Sequence, residues 1–156
     1  MMGRGWWRAL VLAAVTACGG PQCLPSFLGN TLEGSVGSQQ DLQFDEVEIR
    51  RFPGGEIQVR YKRTSGGNNE IVAQVTVQVP SEGITYGRDI DLTTHNGSVT
   101  RVIQDGTDYP PLKSGSIRFD SGGVNDGDAT RGRFAATFDN DRTLNGTFDA
   151  KLQVVQ

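Results

Sequence analysis

Three groups of side chains have the types and spacing to carry chemistry. The thiols Cys18 and Cys23 lie close together near the N-terminus. His95 is the only histidine, and Asp89, Asp91 and Ser98 are near it in sequence. The third group is the oxygen-rich run Asp120-Ser-Gly-Gly-Val-Asn125-Asp126-Gly-Asp128. A hydrolytic histidine needs a nucleophile and an orienting acid, but no Gly-x-Ser-x-Gly motif accompanies His95. It sits instead in Thr93-Thr94-His95-Asn96-Gly97, where a polar, solvated turn is the ordinary role. Asp120, Asn125, Asp126 and Asp128 offer the hard oxygen ligands that Ca²⁺ takes, with Asp139 and Asp141 at a neighbouring tip. Their spacing lacks the Asp-x-Asp-x-Asp-Gly register and the bidentate Glu at the twelfth position, so a solvated loop is expected there. One histidine and at most two cysteines cannot build a closed zinc site if either thiol is consumed elsewhere.

Cys18 is where that question turns. Met1–Arg8 carries Arg4 and Arg8 and no acid, and Ala9–Val15 is an unbroken apolar run. Such a run is too short to cross a hydrocarbon core of about 30 Å, which takes roughly 20 helical residues. The pattern is that of a cleaved secretory signal over residues 1–17. Its last residues, Val15-Thr16-Ala17-Cys18, resemble the lipobox of bacterial lipoproteins. The resemblance implies cleavage between Ala17 and Cys18, diacylglycerol on the Cys18 sulfur as a thioether, and acylation of the new amino group. Two or more chains hold a protein stably on a bilayer where a single myristoyl chain does not. An ordinary signal cut at the same bond is the competing reading, and Cys18 would then be free to bridge Cys23. Gly19 stands where some bacteria place an inner-membrane retention Asp, which leans towards the outer membrane.

The chain without residues 1–17 is long enough for one domain with a single core. The full chain's net charge of −3 becomes more negative once Arg4 and Arg8 are removed, which argues against nucleic acid or anionic lipid headgroups as partners. Both tryptophans, Trp6 and Trp7, leave with the signal, so stacking on sugars has only Tyr61, Tyr86 and Tyr109 to use. Asn96-Gly-Ser98 and Asn145-Gly-Thr147 match the N-glycosylation pattern, which in a bacterium is ordinarily chance. Residues 18–26 form a Gly- and Pro-bearing tether that reaches less than roughly 30 Å at ~3.5 Å per residue. The domain, 27–156, is expected to sit close to the membrane.

Period-two alternation runs through that domain. Phe27–Val36 reads as an edge strand. Leu42, Phe44, Val47 and Ile49 read as a strand with a bulge where the parity changes. Ile57, Val59 and Tyr61 follow the turn Pro53-Gly54-Gly55, and Ser65–Asn69 is a second turn. Ile71, Ala73, Val75, Val77 and Val79 read as the longest and central strand, ended by Pro80. Ile90 and Leu92, then Val99–Ile103, then Ile117 and Phe119 are shorter strands, with a loop over Asp120–Gly132. Phe134, Ala136 and Phe138 share a face with Leu144, Phe148, Ala150, Leu152 and Val154 across the turn Asp139–Arg142. The Gly132–Ala150 pattern is similar to C-terminal hairpins of small uncharacterised lipoproteins of myxobacteria, a resemblance that implies no activity.

The fold expected is all-β: an antiparallel β-sandwich of about eight short strands, or a closed β-barrel, preceded by a signal-peptide helix. The function expected is that of a lipid-anchored lipoprotein of the bacterial envelope, in structure or protein contact, without catalysis or cofactor. Its partners would be the membrane, through Cys18, and an envelope protein added by β-augmentation at an edge strand. A surface module for a small ligand or Ca²⁺ at Asp120–Gly132 is the alternative, and a hydrolase around His95 the third. They separate on calcium-dependent melting and on the effect of His95→Ala.

Overall fold

From Glu46 onward each alternating run forms a strand with one buried face, because successive side chains point to opposite sides of a pleat. The computed structural model describes residues 29–64, 69–80, 83–103 and 106–156. The expected signal segment, the tether, Ala17, Cys18 and Cys23 lie outside the described residues. The described strands are β1 (Thr31–Glu33), β2 (Glu46–Arg51), β3 (Glu56–Arg63), β4 (Glu70–Gln78) and β5 (Asp89–Asp91). They continue with β6 (Ser98–Val102), β7 (Leu112–Ser121), β8 (Ala129–Phe138) and β9 (Thr143–Val154). A 3-10 turn, Ser35–Ser38, follows β1 and buries Val36.

The strands run β5-β7-β8-β9-β2-β3-β4-β6 across one sheet, with β1 added on β9. All neighbours are antiparallel except β2 and β9, which run parallel through Ile49–Leu152, Arg50–Gln153 and Arg51–Val154. Edge strands β5 and β6 stand at opposite ends of this order, yet only residues 92–97 join them. Laid flat at ~4.8 Å per strand, the ends would lie roughly 34 Å apart. A link of that length reaches only about 25 Å when fully extended. The sheet therefore has to curl, and it does so strongly into a half-barrel. The all-β class expected from the sequence holds, in a form between a sandwich and a closed barrel.

Inside the curl lie Ile57, Val59 and Tyr61 of β3 and Ala73, Val75 and Val77 of β4. Against them pack Ile117 and Phe119 of β7, Phe134, Ala136 and Phe138 of β8, and Leu144, Phe148 and Leu152 of β9. Tyr61 is thus a core residue, as its parity required. The hairpin β8–β9 forms as read, and Asp141 takes the left-handed conformation its turn needs, with φ 59°. Ala150 is only half-buried and Val154 is 42% exposed, so that face loses its cover towards the end of β9.

Strand β9 changes partner along its outer edge. It pairs with β1 at Asn145–Thr147 and with β2 only from Leu152. From the last β1 pair towards Leu152, backbone groups of β9 find side chains: the Tyr61 hydroxyl donates to the Thr147 carbonyl at 2.9 Å. The Asp149 N–H donates to Asn30 Oδ1 at 2.6 Å. The split costs no orphaned carbonyl at Thr147 and no orphaned amide at Asp149.

Several boundaries differ from the sequence reading. Of the expected edge strand Phe27–Val36, Thr31–Glu33 is strand among the described residues, and Phe27 and Leu28 lie outside them. Leu42 and Phe44 are not in a strand: the Asp41 carboxylate takes the Gln43 N–H, making a turn, and β2 starts after it. The parity change is therefore an end of regular structure and no bulge. A bulge occurs instead in β4, where Tyr61 pairs with Ala73 and Lys62 with Ile71, so Val72 is the extra residue and is buried. β4 is neither longest nor central, being next to the edge; β9 is the longer strand. β7 is ten residues long rather than short, and the loop after it is 122–128, leaving Asp120 in β7 and Thr130–Gly132 in β8.

Candidate functional site

His95 lies exposed in the turn between β5 and β6. Its Nδ1 is 2.9 Å from Thr94 Oγ1 and 3.0 Å from the Asp91 backbone carbonyl. The Asp91 carboxylate is engaged elsewhere, accepting from the Thr93 N–H at 2.8 Å and the Thr93 hydroxyl at 2.7 Å. These bonds, led by the Thr93 hydroxyl, hold Asp91 below the usual carboxylate range. The imidazole is thus turned towards a main-chain oxygen, and Asp91 serves the turn.

The oxygen ligands of the Asp120 run are placed by separate duties. Asp120 Oδ1 accepts from Arg118 Nε at 2.8 Å on the same strand. Asp126 Oδ1 accepts the Val154 N–H at 2.9 Å, and Asp128 Oδ2 accepts the Asn125 N–H at 2.9 Å. Asn125 is exposed and contributes a backbone amide to this loop. Two backbone bonds, Gly127 N–H to Leu152 and Leu152 N–H to Asp128, each 2.8 Å, stitch the loop to β9. Two of these carboxylates therefore fasten the chain locally. Among the described residues no three His, Cys, Asp or Glu side chains gather as a metal would require.

A different place concentrates unspent polar groups. Arg101 of β6 points to the core side, between the positions of Val99 and Ile103, and is only 4% exposed. Its guanidinium carbon lies 5.3 Å from the centroid of Tyr109. The Tyr109 ring in turn stacks on Phe138 at 5.2 Å, and its hydroxyl donates to the Val72 carbonyl at 2.9 Å. Among the described residues, Arg101 Nε is buried without a hydrogen-bond partner, and so is Gln40 Oε1. Both residues line an open cavity of 290 Å³ with Gln39, Asp41, Arg63 and Thr107 among the other walls.

The charges around this cavity are unequally spent. Arg63 binds the Asp41 carboxylate and reaches Glu70 Oε2 at 2.7 Å, so its charge is matched on two sides. Asp41 is held below the usual carboxylate range, chiefly by the Gln43 N–H, then by Arg63, with a further pull from Arg101. No ion pair involves Arg101 among the described residues. An aromatic face offsets part of a buried cation but leaves its N–H donors unbonded. The sequence carried a sign of this site in Val99-x-Arg101-x-Ile103, a charge on an apolar parity. Gln40 and Tyr109 come from distant loops that no local pattern joins.

Edges for a partner strand are short. β1 pairs only with β9 and spans three residues, while β6 spans five and leaves Val102 61% exposed. The chain matches no protein-family model, no curated protein and no solved structure.

Proposed function

We propose that this chain is a lipid-anchored protein of the bacterial envelope whose β-domain serves structure or protein contact. The observation that carries the reading is the sequence Val15-Thr16-Ala17-Cys18 at the end of the apolar run Ala9–Val15. Diacylglycerol on Cys18 and an acyl chain on its amino group would together hold the domain stably, at ~0.8 kcal/mol per buried CH₂. Gly19 favours the outer membrane. The half-barrel supports a contact role because β5, β6 and the added strand β1 are edges among the described strands, where a partner strand could add. His95 and Asp91 serve a turn, which favours a non-catalytic protein.

The test is an intact mass of the protein purified from membranes of a bacterial host, beside a Cys18→Ala control. The expected mass is that of residues 18–156 plus diacylglycerol and one acyl chain, absent in the control. A bare 18–156 mass, two protons light, would mean a Cys18–Cys23 disulfide in a secreted soluble protein and would overturn the anchor.

A further inference from the structure

We propose that the cavity around Arg101 binds a small organic carboxylate that carries a hydrogen-bond donor beside its carboxyl group, of the α-hydroxy acid kind. The inference does not depend on the lipid anchor. A buried guanidinium is retained at a cost unless its charge and its N–H donors are met. Arg101 is 4% exposed, its Nε has no hydrogen-bond partner among the described residues, and its charge lies against the ring of Tyr109 with a longer-range pull on Asp41. A planar carboxylate matches the guanidinium fork through two parallel N–H···O bonds. The second unmet atom, Gln40 Oε1, is an acceptor, so the ligand must also bring an N–H or O–H.

Size and charge narrow the class further. At 290 Å³ the cavity is at the low end for small-molecule sites, which run from about 300 to 1,000 Å³. Arg63 is already shared between Asp41 and Glu70, so among the described residues Arg101 is the cation of this cavity without an ion pair. One cation beside the Asp41 carboxylate suits a monoanion; a phosphate dianion would meet repulsion from Asp41. A rival account needs no ligand: an inward-pointing charge on a sheet edge discourages pairing with other chains, and β6 is an edge.

The experiment follows the Arg101 side-chain Nε–H by NMR in the ¹⁵N-labelled full chain, purified in detergent, during titration with glycolate, acetate, chloride and phosphate. Glycolate is expected to shift that resonance saturably and to bind roughly 5–10-fold tighter than acetate, the worth of one more hydrogen bond. Gln40→Leu should bring glycolate down to the acetate level and leave acetate unchanged. Arg101→Lys keeps an inward charge for edge protection but loses the fork, and should weaken both carboxylates roughly tenfold. Should Arg101→Lys fail to fold, the Gln40→Leu comparison still decides. No saturable shift with either carboxylate, or equal shifts with chloride or phosphate, overturns the proposal and leaves the edge-guard account.

Discussion

Phe134 and Gly146 face each other across β8 and β9, and Gly132 and Phe148 repeat the arrangement in mirror order. A Cβ on Gly146 would lie 2.5 Å from Phe134 Cε1, 2.7 Å from the Tyr61 hydroxyl and 2.9 Å from the Thr31 carbonyl. A Cβ on Gly132 would lie 2.5 Å from Phe148 Cζ. Each glycine thus leaves the space that the opposite ring fills, an aromatic covering a glycine across a strand pair. That reciprocity gives the Gly-x-Phe spacing in both arms of the hairpin a packing reason. Gly146→Ala decides the point by sign. Replacing glycine at an unstrained position stabilises by roughly 0.4–1 kcal/mol through the unfolded chain. Overpacking a core costs roughly 1–3 kcal/mol. We expect net destabilisation in urea unfolding, with the midpoint lowered; a raised midpoint would mean the rings are not held against the glycines.

Tyr61→Phe tests the partner change of β9. The phenol is the donor to the carbonyl of Thr147, the last β9 residue of the β1 ladder, before the β2 ladder begins at Leu152. Its ring should stay packed against Phe44, 5.0 Å away, and Phe134, 5.9 Å away. The loss expected is roughly 1–3 kcal/mol, the cost of a stranded carbonyl rather than of a cavity. Amide exchange along β9 should quicken near Thr147 more than in the β8–β9 turn. An unchanged urea midpoint would show that water reaches that carbonyl.

How much of this was legible follows from how local each signal is. The β3 strand and the β8–β9 hairpin could be read because their alternation is unbroken and their core residues are consecutive in parity. β7 was underestimated because its first half, Leu112–Ser116, carries Gly115 and serines where a buried face would show large residues. Gly115 is there because a Cβ would lie 2.9 Å from the Ala135 carbonyl and 3.1 Å from Leu92. Leu42 and Phe44 imitate a strand since loop side chains that pack on the core also alternate. The β2–β9 parallel pair joins distant segments and leaves no local mark. Arg101 passed unremarked inside the strand Val99–Ile103, although a charge on an apolar parity marks it; its cavity leaves no local mark, since Gln40 and Thr107 reach it only through the tertiary fold.

Alkaline pH should unfold the domain through its buried phenols. Burial pushes Tyr109 from 10.0 up to about 12, against a smaller opposite pull from Arg101, and burial raises Tyr61 as well. An acid whose folded pKa is raised is protonated in the folded state while the unfolded chain has already released its proton. Stability from these groups is therefore full below the unfolded value of 10.0 and is lost as pH rises towards about 12. Urea midpoints measured across that window should fall steadily. Tyr109→Phe should start lower at neutral pH, having lost the bond to Val72, and then fall less steeply. Parallel slopes in the two proteins would remove Tyr109 from the account.

The loop 122–128 offers the sharpest separation between fastening and ion binding. Asp126 and Asp128 accept the amides of Val154 and Asn125, and Asp120 accepts from Arg118, so calcium would compete with these donors for the carboxylates. Melting curves in millimolar Ca²⁺ and in chelator are accordingly expected to coincide. Asp126→Ala should destabilise by roughly 0.5–1.5 kcal/mol whether or not calcium is present, since what it loses is one hydrogen bond to the backbone of β9. A ligand that binds only the folded chain must raise its melting temperature as its concentration grows. A calcium-dependent rise in the parent protein that vanishes in Asp126→Ala would make this loop a cation site and its hydrogen bonds the resting arrangement of the ligands.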